Sequence, residues 1–157
     1  MLIYRILSTI LFLISLPVYA AVRKIEGKSF GWKEKFGDFD APDLGDKVIM
    51  FHGVSVGEVI ALENLIKKTK ETFPNYKIVV TTGTKTGQEI AHKKYDNVAD
   101  FITYFPFDIT FCVEKFLNKI NPSVVLIAET ELWPTFAAYC HKKGIPLFVI
   151  NGRISDA

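Results

Sequence analysis

The sequence predicts an α/β fold built on a Rossmann-like, doubly wound parallel sheet. Five short segments are apolar and rich in β-branched and aromatic residues. Near-continuous apolar runs of this kind are typical of strands that are buried on both faces of a parallel sheet. Helical segments separate them, and regular alternation of strand and helix indicates successive βα units. The predicted strands are Lys47–His52, Lys77–Thr82, Asp100–Tyr104, Ser123–Ala128 and Pro146–Ile150.

The helices between these strands are predicted from apolar residues spaced three and four positions apart. The longest covers Glu58–Thr72, and shorter ones cover residues 86–95, 109–119 and 134–142. The buried face of the longest helix is expected to consist of Val59, Leu62, Leu65 and Ile66. Ligands of such sheets bind beyond the carboxyl ends of the strands, so function is expected in the loops there. These loops are Gly53–Gly57, Gly83–Thr86, Phe105–Asp108, Glu129–Trp133 and Asn151–Ser155.

Residues 1–21 are predicted to form a membrane anchor. They are apolar apart from Arg5 and a few neutral polar side chains. About 20 residues at roughly 1.5 Å each span the ~30 Å hydrocarbon layer. A cleavable signal peptide ending near Ala21 is the competing interpretation. Basic residues are concentrated just after the apolar segment, which favours an uncleaved anchor with the following domain in the cytoplasm.

The rest of the chain is predicted to consist of a linker and one domain. Residues 22–46 carry several glycines and a proline without a sustained period, which indicates a linker, and residues 47–157 form the domain. The formal net charge of +2 gives no reason to expect nucleic acid as a partner. The spacing of Cys112 and Cys140 fits neither a zinc site nor a disulfide framework, so buried, reduced thiols are expected.

The loop after the first predicted strand supports two interpretations. Ser55 and Glu58 have the spacing of a capping box, in which hydroxyl and carboxylate satisfy free amides at a helix start. Alternatively, Glu58 is a general base held at that helix start. The two glycines of the loop, Gly53 and Gly57, are spaced Gly-x-x-x-Gly, which is neither the dinucleotide fingerprint nor a phosphate loop.

The next two loops are also open to structural and functional interpretations. The segment from Thr82 to Gly87 offers hydroxyls, backbone amides and one cation at a helix start, which suits a phosphate or sugar hydroxyls. A helix cap formed by Thr86 with Glu89 is the alternative. In the third loop, Asp108 is expected to cap the helix that follows it.

A pair of acidic residues, Glu129 and Glu131, follows the fourth predicted strand. Glu131 has a simple structural explanation, because it can help to cap the helix that starts at Pro134. Glu129, directly at the strand end, is expected to be partly buried and to need a partner. Lys85, Arg153 or a ligand hydroxyl would serve, so a functional role is favoured here.

Taken together, the five loops resemble the ordered signature of 3-deoxy-D-manno-octulosonic acid (Kdo) transferases. The five motifs occur in the family's order and extend over nearly the whole chain. The resemblance implies a GT-B fold of two Rossmann-like domains that faces the cytoplasm at the inner membrane. It also implies transfer of Kdo from CMP-Kdo to the lipid A precursor with inversion, without a metal or other cofactor. The motifs are His52–Glu58, Thr81–Gly87, Phe105–Asp108, Ala128–Pro134 and Asn151–Ser155.

Matching the motifs to the family assigns a role to each candidate residue. The resemblance implies that Glu58 is the catalytic base and that Glu129 also belongs to the catalytic centre, which Glu131 helps to orient. Arg153 would contact a phosphate or pair with Glu129. The residues implied to line the acceptor cleft are Ser55, Gly57, Thr82, Gly83, Thr84 and Lys85.

The chain departs from the family pattern in its length. Family members are longer, and we expect the C-terminal domain that would hold CMP-Kdo to be absent here. Two alternatives to an acceptor domain therefore stay open: a non-catalytic truncated remnant, and a membrane-anchored lipid-binding module. An unrelated anchored Rossmann enzyme is disfavoured because the dinucleotide fingerprint is missing.

Overall fold

The computed structural model of the protein describes Ile10, Ile14, residues 31–129 and residues 133–151. Five parallel strands form one sheet in the order β3-β2-β1-β4-β5. The predicted α/β fold with a parallel sheet is confirmed, and every strand boundary lies within one residue of the prediction. The strands are β1 Val48–Gly53, β2 Lys77–Thr82, β3 Phe101–Tyr104, β4 Val124–Ala128 and β5 Leu147–Ile150.

The helix predicted over Glu58–Thr72 is two helices that meet at Leu62. The first begins two residues earlier than predicted, because Ser55 caps it. Beyond the break the buried face changes, so Leu65 is 39% exposed while Ile66 is buried, and the prediction for Leu65 was wrong. The described helices are α1 Trp32–Lys35, α2 Val56–Ala61, α3 Glu63–Thr72, α4 Lys85–Tyr95, α5 Thr110–Ile120 and α6 Pro134–Lys142.

The helices cover both faces of the sheet, as in a doubly wound fold. Helices α2, α3 and α4 pack on one face, where Phe51 and Val80 point. Helices α5 and α6 pack on the other face, where Met50 and Ile127 point. From β1 the chain adds β2 and then β3 on one side of the sheet. It then crosses back and adds β4 and β5 on the other side of β1, so the strand order reverses between β1 and β4. Ligands of open α/β sheets bind at this reversal, beyond the carboxyl ends.

Residues 31–46, the described part of the segment predicted as a linker, pack against the domain. Lys35 and Leu44 are buried, and the Phe39 ring lies 5.6 Å from that of Phe116. The Lys119 ammonium donates to the Phe39 carbonyl oxygen at 2.6 Å. The sequence pattern did not indicate this packing, because α1 is too short to show a helical period.

The predicted anchor, residues 1–21, lies outside the described residues apart from Ile10 and Ile14. None of the helices among the described residues is long and apolar enough to cross a membrane.

Cys112 and Cys140 are buried and unpaired, as the sequence predicts. They lie on α5 and α6, and both are fully buried. Burial raises the pKa of each thiol to about 12. Neither thiol is therefore a nucleophile at neutral pH, because the reactive form is the thiolate.

Candidate functional site

The loop after β1 forms a complete capping box. The Ser55 hydroxyl accepts a hydrogen bond from the Glu58 amide at 3.4 Å, and the Glu58 carboxylate closes the box by accepting from the Ser55 amide at 3.3 Å. The Ser55 hydroxyl also donates to Glu58 Oε1 at 2.7 Å, and the Val54 amide donates to Glu58 Oε2 at 2.7 Å. The structural interpretation of this loop is therefore confirmed.

Capping does not use all the acceptor capacity of Glu58. Its Oε1 accepts two hydrogen bonds and its Oε2 accepts one. Each carboxylate oxygen has two lone pairs, so one on Oε2 is left. The side chain is largely buried but not sealed, with Glu58 7% exposed. Three donors thus hold an acceptor oxygen in one orientation at the carboxyl end of β1, which is what a general base requires.

The loop after β2 is fastened to the loop after β1. The Gly83 amide and the Thr84 hydroxyl both donate to the Val54 carbonyl oxygen, at 3.3 and 3.1 Å. Thr84 also caps α4, because its hydroxyl accepts from the Gly87 amide at 3.0 Å. The cap is therefore Thr84 and not the predicted Thr86. The Thr82 hydroxyl donates to Gln88 within α4.

Gly83 and Gly57, two glycines at this site, differ in the space around them. A Cβ on Gly83 would lie 2.7 Å from Cγ1 of Val54, so the contact between the two loops requires a residue without a side chain. A Cβ on Gly57 would meet nothing closer than the Ser55 hydroxyl at 3.9 Å. Gly57 is exposed, so internal packing does not account for it. An open surface beside the Glu58 cap is what a close-lying ligand needs.

Lys85 does not provide the partner that the sequence suggested for Glu129. It lies in the first turn of α4 and forms a surface ion pair with Glu89, 3.7 Å away. Half of the Lys85 side chain is exposed. Its ammonium is therefore at the carboxyl edge of the sheet, but on the outside of the loop cluster.

Glu129 has an unusual backbone conformation. Its φ of 59° lies in the left-handed region, which costs a residue with a side chain roughly 1–2 kcal/mol. Its amide donates to the Ile150 carbonyl oxygen at 2.8 Å, which fixes the backbone at the end of β4. Within the described part of the chain its carboxylate has no hydrogen bond or ion pair. Strain of this kind is concentrated at functional sites. The other two predicted residues, Glu131 and Arg153, lie outside the described residues.

Comparison with known proteins identifies the family. A sequence profile described as 3-deoxy-D-manno-octulosonic-acid transferase (kdotransferase) matches residues 30–157, most of the chain. The chain belongs to the Kdo transferase family. This confirms the resemblance drawn from the five loop motifs.

Individual relatives agree with this assignment. The chain is 32% identical over 127 residues to a 3-deoxy-D-manno-octulosonic acid transferase of Chlamydia muridarum, covering 80% of the chain and 29% of the relative. It is 35% identical over 107 residues to the Haemophilus influenzae transferase, covering 68% and 25%. A bifunctional glycosyltransferase/methyltransferase of Fusobacterium nucleatum is 37% identical over 145 residues, covering 91% and 22%. The chain thus spans less than a third of the length of these relatives.

The third loop of this Kdo transferase domain adds a contact that the sequence did not predict. Asp108 was expected to cap α5, the helix that follows it. Its carboxylate also reaches the start of α6, where it accepts from the Thr135 and Phe136 amides at 3.0 and 2.8 Å. Because α5 and α6 pack side by side on one face of the sheet, the free amides of α6 come within reach of Asp108.

His52 in β1 was not predicted as a site residue, although it opens the first Kdo transferase motif. The ring is fully buried, stacks on Phe105 at 4.0 Å, and its Nδ1 lies 3.0 Å from the Thr81 hydroxyl. Desolvation lowers the pKa of His52 to about 3, against the effect of the hydrogen bond with the Thr81 backbone. The ring is therefore neutral at physiological pH. It packs in the interior against Phe105, which belongs to the loop after β3.

Lys35 is a second residue that the sequence did not indicate. It ends α1, is 7% exposed, and its ammonium donates to the Gly83 carbonyl oxygen at 2.8 Å. The ammonium also lies 5.2 Å from the centre of the Tyr104 ring and 5.8 Å from that of Phe107. The segment that precedes β1 in the chain therefore contacts the loops at the carboxyl edge of the sheet.

A cavity of about 630 Å³ lies elsewhere, along the outer edge of β3. Its walls come from residues 31–40, from β3 and from one side of α4. Neither Glu58 nor Glu129 lines it. The candidate site of the Kdo transferase domain is thus a surface made by loops, open beyond the strand ends.

Proposed function

We propose that the chain is the acceptor-binding part of an inverting transferase that moves Kdo from CMP-Kdo to the lipid A precursor. The observation that carries this proposal is the fixed Glu58 carboxylate with its remaining Oε2 lone pair, at the strand-order reversal of a Kdo transferase domain. A ligand at that reversal would meet Oε2 directly.

The chemistry needs one base. In a single displacement the acceptor hydroxyl gives its proton to Glu58 Oε2 while its oxygen forms a bond to the anomeric carbon of Kdo. The bond from that carbon to the CMP oxygen breaks on the opposite face, and CMP leaves with the electron pair. Inversion follows because attack and departure take place on opposite faces. The Glu58 carboxylate is oriented by three donors, which supports its assignment as the base for the proton transfer.

The remaining residues are assigned to binding and orientation. Ser55 and the open surface at Gly57 border the base. Thr82, Gly83 and Thr84 hold the neighbouring loop in place, and the exposed Lys85 ammonium that follows it would bind a phosphorylated sugar. Glu129, together with Glu131, would orient the acceptor hydroxyl, and Arg153 would contact a phosphate. The strained backbone of Glu129 and the absence of a partner for its carboxylate among the described residues support this role.

The donor is assigned to polypeptide beyond this domain. The matches cover only 29% and 25% of two of the relatives, which supports a second domain that holds CMP-Kdo across the cleft. Residues 1–21 would anchor the protein in the inner membrane with the domain on the cytoplasmic side, where the acceptor lipid is available.

The test uses a chimera of residues 1–157 followed by the part of the Haemophilus influenzae relative that lies beyond the match. With CMP-Kdo and lipid A precursor, we expect Kdo-bearing lipid and released CMP. Glu58→Gln should lower turnover by about 10²–10⁴-fold, the usual contribution of a general base. The chain alone should bind vesicles containing the precursor and release no CMP.

Ser55→Ala is the comparison variant, because it removes the cap hydroxyl and one of the three donors to Glu58 while keeping the carboxylate. It should cost about 1 kcal/mol of stability and less turnover than Glu58→Gln. Equal losses of turnover in the two variants would mean that Glu58 only caps α2. A chimera that binds the precursor but never transfers Kdo would favour a lipid-binding module instead.

A further inference from the structure

We infer that Lys35 is a positioning residue that holds the Glu58 base in place through the two loops between them. This inference rests on the proposed function of Glu58. It concerns a part of the chain before the sheet, whose sequence carries none of the five motifs.

Lys35 forms hydrogen bonds through its side-chain ammonium and through its backbone carbonyl oxygen. Its ammonium donates to the Gly83 carbonyl oxygen at 2.8 Å, and its own carbonyl oxygen accepts from the Phe107 amide at 2.9 Å. The rings of Tyr104 and Phe107 lie beside the charge. A buried ammonium costs free energy unless such partners compensate it. Lys35 therefore joins α1 to the loops after β2 and β3.

A continuous series of hydrogen bonds leads from Lys35 to Glu58. Lys35 fixes Gly83, and the Gly83 amide donates to the Val54 carbonyl oxygen at 3.3 Å. The Val54 amide then donates to Glu58 Oε2 at 2.7 Å. Oε2 is also the oxygen with the remaining lone pair. Val54 also occupies the space that a Cβ on Gly83 would take, so the two loops are in close contact at this point.

Lys35 itself is too buried to bind substrate. Only 7% of the residue is exposed, and its charge points at the underside of the Gly83 loop. We therefore expect its effect on transfer to pass through the position of Val54 and Glu58. A displacement of about 1 Å at a reacting group is enough to cost on the order of 100-fold in rate.

The first test uses the complete 157-residue chain and amide hydrogen exchange. Lys35→Met keeps the apolar stem and removes the charge, so the Gly83 and Val54 amides should exchange about tenfold faster than in the wild type. Lys33→Met, on the exposed side of the same helix, is the control and should leave both amides unchanged. Unchanged protection of Gly83 and Val54 in Lys35→Met would overturn the inference.

The second test measures transfer by the chimera. Lys35→Met should lower kcat by about 10- to 100-fold with little change in KM, and Lys35→Arg should restore most of it because a guanidinium can still donate to Gly83. A raised KM with normal kcat, or wild-type kinetics, would contradict a positioning role. Glu58→Gln separates the two proposals: loss of turnover in Glu58→Gln but not in Lys35→Met refutes this inference alone. Normal turnover in Glu58→Gln refutes the proposed function.

Discussion

The two ends of the sheet differ in how completely their polar side chains are hydrogen-bonded. At the amino end, the Asp100 carboxylate accepts from the Ile78 amide and from the ammonium groups of Lys70 and Lys77, all within 3.0 Å. The Ser123 hydroxyl likewise bridges the start of β1, between the Asp46 carbonyl oxygen and the Val48 amide. Both side chains complete the hydrogen bonding of strand starts, which is a structural role.

At the carboxyl end, Glu58, Thr84 and Asp108 form helix caps, but other polar groups lack hydrogen-bond partners among the described residues. In the described residues, four buried side-chain atoms lack a hydrogen bond, and all belong to residues in or beyond the carboxyl halves of the strands. Among the described residues, the Glu129 carboxylate has no partner either. Leaving such groups unsatisfied costs free energy, so these side chains contribute less to stability than those at the amino end. The four atoms are His52 Nε2, Thr103 Oγ1, Trp133 Nε1 and Thr135 Oγ1.

The largest effect on stability is expected at the amino end. Asp100→Ala removes the carboxylate that accepts hydrogen bonds from three donors, and it leaves the Ile78 amide without that partner. The free energy of unfolding should therefore fall by about 2–3 kcal/mol. Transfer by the chimera should not change under conditions where it stays folded. Urea denaturation at pH 7 measures the first effect, with the exposed Asp96→Ala as control. A loss of transfer without a loss of stability would break the comparison.

The same variant has a pH signature. Although partial burial raises the pKa of Asp100, the hydrogen bonds from Lys70, Ile78 and Lys77 lower it to about 2, from 3.8 in the unfolded chain. The ionised carboxylate therefore stabilises the fold fully above about pH 4, and this contribution is lost as the pH falls through about 2. The stability difference between wild type and Asp100→Ala should narrow over that interval.

At the carboxyl end, a smaller effect of opposite sign is expected. Glu129→Gly removes the side chain from a left-handed conformation and should raise the free energy of unfolding by about 1 kcal/mol. Transfer by the chimera should nevertheless fall. Glu129→Ala keeps the strain and removes the carboxylate, so it should lose transfer without gaining stability. Destabilisation by Glu129→Gly in thermal melts would show that the carboxylate stabilises the fold.

The smallest effect on stability is expected at Gly57 in α2, which also lies at the carboxyl end of the sheet. Gly57→Ala adds a methyl group in open space within a helix, so it should stabilise the chain by about 0.5–1 kcal/mol. The same methyl group would occupy the surface proposed for the acceptor, and binding to precursor vesicles should weaken. Tighter or equal binding, measured beside the thermal stability, would place the acceptor elsewhere.

Some site features could be predicted from the sequence because they depend on neighbours along the chain. Ser55 and Glu58 are three residues apart, and their capping box forms within one helical turn. Other features depended on neighbours in space. Asp108 caps α6, because it reaches amides 27 and 28 residues away, and no local pattern predicts such a pairing.

The sequence by itself determined the strands, the capping box at α2 and the family, because burial on both faces of a sheet and local capping leave patterns among residues close together in the chain. Only the tertiary structure decided that Lys35 supports the loop after β2, 48 residues away, and that Glu129 takes a left-handed conformation. A lysine at the end of a four-residue helix looks like any solvated lysine in the sequence. Its burial follows from how α1 packs on the sheet, which is set by contacts that no short segment contains.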